Sequence, residues 1–144
     1  MTYRILVTGS RTWPDYPRFC FELGAAVGEA RVPREEIVIV HGACPEGADK
    51  MADWAARCFG FAAERHPADW SRGKQAGFAR NADMVAAGAD VCLAFVDRCV
   101  KTACVEWALC HPDAAPAFHD SHGAAHCAML AEDAGIETRT FRYE

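Results

Sequence analysis

Two short runs near the N-terminus, YRILVTG from Tyr3 to Gly9 and EIVIVHG from Glu36 to Gly42, are apolar and β-branched with no helical period, and each ends at a glycine. Runs of this kind read as strands covered on both faces. Between them Phe19, Leu23, Ala26 and Val27 recur at helical spacing, behind the breaker Pro14 and the capping candidate Asp15. From Gly47 a second helical face carries Ala48, Met51, Ala52, Ala55 and Cys58 and stops at Gly60. A short strand follows in FAAERH, then a helix in KQAGFARNADMVAAGA, a strand in DVCLAFV, a helix in HGAAHCAMLAEDAG and a last strand in IETRTFRY. Strands that alternate with helix-length segments predict an α/β fold of three layers, with a mainly parallel central sheet that includes Ile5 to Thr8, Ile37 to Val40 and Val91 to Phe95.

At 144 residues, 51% of them hydrophobic, the chain suits a single domain over 1–144. The stretch at about 97–120 breaks the alternation and reads as an insertion, in which TACVEWALCH can form a helix and PDAAPAFHD a loop. No internal repeat is visible. No apolar run approaches the roughly 20 residues of a membrane span, and MTYRILVTGS lacks a signal-peptide pattern, so a soluble, cytoplasmic protein with no membrane contact is expected. The eight cysteines come without a CxxC pair, which argues for reduced thiols over a disulfide scaffold.

A net charge of −5 argues against nucleic acid as a partner, because backbone affinity comes from clustered Lys and Arg. One stretch inverts that balance. HPADWSRGKQAGFARNADM, from His66 to Met84, gathers Arg72, Lys74 and Arg80 against Asp69 and Asp83 only. In a parallel α/β sheet ligands bind beyond the carboxyl ends of the strands, so TGSRTW after the first strand and HGACPEGAD after the second carry the most interest. Their glycines would let backbone N–H groups approach an anion at the start of the helix near Gly47. HGACPEGAD is equally a tight strand-to-helix turn, and it matches neither GxGxxG nor GxxxxGK[ST].

In order along the chain, LVTGSRTW, HGACPEGADKMADWAA, PADW with GKQAGFARNADM, and GADVCLAF together resemble the YspA-like branch of the SLOG superfamily, Rossmann-like domains related to the LOG phosphoribohydrolases and the DprA/Smf proteins. The resemblance covers Tyr3 to Phe95 and resumes from Ser121 to Phe141. It implies a Rossmann-like fold, a homodimer or larger homo-oligomer, and a site for a nucleotide or nucleotide-derived ligand. By position Gly9, Ser10 and Arg11 match its first loop, Gly42, Gly47, Ala48 and Asp49 its second, and Asp69, Trp70, Gly73, Lys74, Gly77, Arg80 and Asn81 its third. The residue chemistry agrees: Arg11 and Arg80 offer planar forks to a phosphate, Lys74 a point charge, and Asn81 or Asp49 a contact to a ribose or base edge. Trp70 either stacks on a base or anchors the loop from beneath, and Asp49 either serves the ligand or pairs with Arg80. On this reading Arg80→Ala weakens binding and leaves folding nearly untouched.

Two departures bear on activity. The PGGxGTxxE stretch of LOG enzymes is absent; SHGAAHCAML stands there, with Ala124 in place of the threonine and no glutamate close behind, so the catalytic residues are unknown and whether the chain is an enzyme stays open. Glu46 puts a carboxylate into the second loop, unfavourable beside a phosphate unless it points away or meets a metal; Glu106 lies in the insertion. The resulting readings are binding or sensing of a nucleotide-derived molecule, a hydrolase acting on an N-glycosidic or phosphate bond, or a DprA-like nucleic-acid module. The C-terminal third raises one cofactor question. Cys99, Cys104, Cys110, His111, His119, His122, His126 and Cys127 crowd together, and His122 and His126 stand one helical turn apart, a spacing zinc ligands use. Any zinc is expected among them and away from the phosphate loops.

Overall fold

The computed structural model describes residues 2–110 and 120–143. Five parallel strands, β1 (Tyr3–Gly9), β2 (Ile37–His41), β3 (Ala62–Arg65), β4 (Val91–Val96) and β5 (Glu137–Arg142), form one sheet in the order β3-β2-β1-β4-β5. The α/β expectation holds, with an all-parallel sheet. β1 lies at its centre and pairs with β2 from Tyr3↔Ile37 and with β4 from Ile5↔Val91.

Alternate residues of the central strands feed two cores, as the period of two requires. Ile5, Val7, Ile37, Ile39, Leu93 and Phe95 pack with Phe19, Leu23 and Ala26 of α1 (Tyr16–Ala30) and with Ala48, Ala52 and Ala55 of α2 (Gly47–Phe59). On the other face Leu6, Val40 and Cys92 meet Met84 and Val85 of α3 (Ala76–Ala86) and Cys127 and Ala131 of α5 (His122–Asp133). Each fully buried Phe or Leu in these layers contributes roughly 1.5–3 kcal/mol by leaving water. The alanines of α2 bring its axis close to the sheet, so the helix start sits directly over the end of β1.

Local signals set the helix ends. The Asp15 carboxylate accepts the Arg18 N–H at 3.0 Å, capping α1, and Gly60 takes the left-handed conformation that closes α2. The third helix starts at Ala76, two residues after Lys74. A separate 3-10 turn, Trp70–Arg72, precedes it, because Asp69 caps Ser71 and Gly73 adopts φ +102, which no continuous helix allows. In the expected insertion α4 (Thr102–Cys110) is helical, and an antiparallel bridge joins Arg98 to Asp120; residues 111–119 of the expected loop fall outside the described residues. Among the described residues no helix is long and apolar enough to cross a membrane.

Candidate functional site

The strand order turns back between β1 and β4, so the crevice of this fold lies over their carboxyl ends, where the loops after β1, β2 and β4 meet the starts of α2 and α5. Two glycines weld the first loops together. A Cβ on Gly9 would lie 2.6 Å from the Phe95 carbonyl oxygen and clash with Ala48. A Cβ on Gly47, at φ +69, would lie 2.6 Å from Arg11 Cα and collide with the Ser10 carbonyl, to which the Ala48 N–H donates at 3.4 Å. Gly9 and Ser10 of the first loop thus meet Gly47 and Ala48 of the second.

Gly42, Asp49 and Arg80 form a second cluster. Arg80 Nη1 donates to the carbonyls of Gly42 and, at 3.3 Å, His66, while Nε donates to Asn81 Oδ1 at 2.9 Å. Gly42 has no side chain because the guanidinium occupies its place: a Cβ would fall 2.7 Å from Arg80 Cζ and 3.0 Å from Asp49 Oδ2. The Asp49 carboxylate is buried and accepts the Cys44 N–H at 3.2 Å. Burial pushes its pKa up to about 6, against the opposing pull of that N–H and of Arg80 and Arg11. Arg80 therefore ties the β2–α2 turn to the segment after β3, so truncating it would loosen the fold as well as any ligand. Asn81 is buried, and its Nδ2 donates to the Gly123 carbonyl at 3.2 Å, which makes it an α3–α5 contact.

Arg11 and Trp70 make the exposed lip of the crevice. The Arg11 guanidinium lies 5.7 Å over the Trp70 ring, and the same ring rests on Gly77, whose added Cβ would meet Trp70 Cη2 at 3.0 Å. Trp70 is nonetheless 52% exposed, so it anchors the loop along one edge and keeps ring surface in solvent. Asp69 serves its own turn, accepting the Ser71 N–H at 3.2 Å. Gly73 and Lys74 are exposed in the turn before α3. Glu46, exposed beside the start of α2, and Glu106, exposed on α4, bring no carboxylate into the buried cluster.

Sequence reasoning missed a hydroxyl network at the switch point. Ser10 Oγ accepts the Asp97 N–H at 2.7 Å and shares a short hydrogen bond with Ser121 Oγ, while the Ser121 N–H donates to the Asp97 carbonyl at 2.9 Å. Thr12 Oγ1 donates to Asp97 Oδ2 at 2.8 Å. Ser10 is buried, so its hydroxyl couples β1, β4 and α5. A cleft of about 290 Å³ beside α2 was missed too; His41, Cys44, Asp49, Asp53 and Arg65 line it. His41 Nδ1 accepts the Ala43 N–H at 3.0 Å, which leaves the proton on Nε2, 3.4 Å from Asp53 Oδ1; burial lowers the His41 pKa and keeps the ring neutral. Asp53 is held below the usual carboxylate range by the hydrogen bond from Arg65.

Of the Cys/His group, Cys99, Cys104 and His122 converge, their donor atoms all within 4.8 Å of one another. The others do not join them among the described residues. Cys110 is exposed at the end of α4, His126 packs on Phe78 at 4.5 Å between ring centroids, and Cys127 is a core residue whose thiol burial pushes up to about 11. His111 and His119 fall outside the described residues. The trio is not remote from the crevice, since His122 directly follows Ser121 of the hydroxyl network.

The fold and this edge have relatives. The family model for the YspA, cpYpsA-related SLOG family matches residues 3–73, which end at Gly73 and so take in both glycine-welded loops and Trp70. The "Gene 61 protein" of Mycobacterium phage D29 is 38% identical over 144 residues, covering 96% of this chain and 95% of that protein. The chain belongs to the YspA, cpYpsA-related SLOG family. The full-length similarity extends to the β4–α5 region that the family model leaves out. No solved structure matches significantly.

Proposed function

We propose that the carboxyl edge binds or senses a phosphate-bearing, nucleotide-derived small molecule, with Arg11 and Trp70 as its outer contacts. The observation that carries this reading is the Arg11 guanidinium stacked over a half-exposed Trp70 at the start of α2. A planar cation beside an open aromatic face offers a fork for phosphate and a platform for a base, and the α2 N-terminus adds favourable dipole potential. Lys74, exposed nearby in sequence, supplies a further cation. Membership of the SLOG family supports the nucleotide class.

Mass spectrometry of small molecules retained by the native protein, followed by calorimetric titration with nucleoside mono- and diphosphates, tests the reading. Arg11→Ala should bind about 10- to 100-fold more weakly, the loss of one charge-assisted contact, with an unchanged melting temperature. Unchanged affinity in that variant removes the site from this edge. Arg11 is the better probe than Arg80, whose hydrogen bonds to two backbone carbonyls mix folding with binding.

One observation favours a hydrolase as the second reading. Asp49, at a pKa of about 6 beside two arginines, titrates where a general acid or base is effective near neutral pH. Incubation with the same nucleotides separates the two: release of free base, ribose phosphate or inorganic phosphate, lost in Asp49→Asn, indicates an enzyme. A raised melting temperature with no product indicates a binding domain.

A further inference from the structure

We propose that Cys99, Cys104 and His122 form a binding site for a zinc-class divalent cation that clips the β4–α4 connection to the start of α5. The donors come from three places: the loop after β4, the first turn of α4 and the first residue of α5. Cys99 Sγ and Cys104 Sγ each lie 3.7 Å from the same atom, His122 Nε2. A tetrahedral zinc with bonds of ~2.3 Å to sulfur and ~2.0 Å to nitrogen requires S···N separations of ~3.5 Å, close to both observed distances. Cys104 also shares a hydrogen bond with Cys99, so the two thiols and the imidazole all face one another. With all three donor atoms within 4.8 Å of one another, a single cation can reach each of them.

The frame around the trio is built without any metal. The Arg98↔Asp120 bridge and the Ser121 N–H to Asp97 carbonyl bond hold the segment ending at Cys99 against the segment ending at His122. Cys104 sits in the turn closed by its own N–H to the Lys101 carbonyl at 3.0 Å. Among the described residues of the enclosed segment, Val100, Trp107 and Leu109 are 59%, 52% and 69% exposed. Short units that bury little apolar surface commonly use a structural metal in its place. Cys99 is buried, and Cys104 and His122 are half-buried, which screens the thiolates while leaving an entry route. Three protein donors leave one tetrahedral position to water or to an oxygen of a bound molecule. Binding converts two thiols to thiolates, so each cation taken up releases two protons to solvent.

The test uses full-length protein purified without a histidine tag, fully reduced and stripped with a chelator. Cobalt(II) titration should saturate at one ion per chain with a thiolate-to-metal charge-transfer band and the intense visible bands of tetrahedral geometry. Zinc should displace the cobalt, and zinc added to the stripped apoprotein should release two protons per ion and raise the melting temperature. Cys104→Ser, at a half-exposed position, should weaken binding at least about 100-fold with its circular dichroism unchanged. His122→Ala should do the same. Cys110→Ser, exposed at the far end of α4, should bind as the wild type does. Absence of the charge-transfer band in reduced wild-type protein overturns the proposal, as does full retention of it in Cys104→Ser. A stoichiometric site lost in Cys110→Ser and kept in Cys104→Ser overturns the assignment of ligands.

Discussion

The chain leaves the carboxyl edge of the sheet for a helix in two contrasting ways. After β2 it reaches α2 within five residues, and the approach is made by removing side chains: Gly42 yields its space to the Arg80 guanidinium, and Gly47 lets α2 touch the Ser10 carbonyl. After β4 the chain makes a long excursion before α5, and the approach is made by adding polar ones, through Ser10, Thr12, Asp97 and Ser121. Gly123, in the first turn of α5, would meet nothing within 4 Å if it gained a Cβ. The same edge therefore holds one junction fixed by steric exclusion and one fixed by hydrogen bonds, and these should fail differently.

Substituting the glycines should expose the contrast most strongly. Gly47→Val places a branched side chain into the Ser10 carbonyl at a left-handed φ and should cost roughly 3 kcal/mol or more, read as a large drop in the urea midpoint. Gly123→Ala, in open helical surroundings, should stabilise by roughly 0.5–1 kcal/mol. A Gly47 variant as stable as wild type would break the comparison outright.

The next effect concerns the charge trapped in the glycine junction. Asp49 has a folded pKa of about 6 against an ordinary value of 3.8, so the folded state holds the proton more tightly than the unfolded state does. Its contribution to stability is therefore greatest below pH 4, falls as pH rises through 4 to 6, and stays lost above that. Asp49→Asn should accordingly stabilise the ligand-free protein by about 1–3 kcal/mol at pH 7–8 and by progressively less towards pH 4. Denaturant melts at several pH values give the profile, and a gain that grows on acidification would reverse the sign assigned to Asp49.

The smallest effect sharpens the polar side. Ser10→Ala leaves the Asp97 N–H and the Ser121 hydroxyl without their common partner, which should cost about 1–2 kcal/mol and raise amide exchange at Asp97 and Ser121 before it affects β1. Unchanged exchange there would mean that the hydroxyl network does not hold the junction.

What could be read from sequence follows the same division. Strands covered on both faces advertise themselves as unbroken apolar runs, so β1, β2 and β4 were legible almost to the residue. Gly47 was legible as a helix start because its turn is local. The partners of Ser10 lie 87 and 111 residues away, and no spacing rule connects them. Arg80 shows the other limit. Its residue type announces a planar fork, but whether that fork faces a ligand phosphate or the carbonyls of Gly42 and His66 depends on where β2 and β3 end, which only the fold decides. Cys99, Cys104 and His122 could be picked out as donors by type, while their selection from eight candidates required the Arg98↔Asp120 bridge.

The two outermost strands have a consequence for how copies of this chain can meet. β3 is only four residues long and ends in Glu64 and Arg65, each held in ion pairs, while β5 carries Glu137, Arg139 and Arg142, paired with one another or with Glu29 and Asp120. A neighbouring strand that tried to extend the sheet would have to disrupt or desolvate these charges before gaining a ladder of backbone hydrogen bonds. The sheet is thereby terminated at five strands, and fibre-like growth by strand addition is disfavoured at both margins. The exposed large apolar side chains Phe21 of α1 and Trp54 of α2 lie on helices, away from both strand edges.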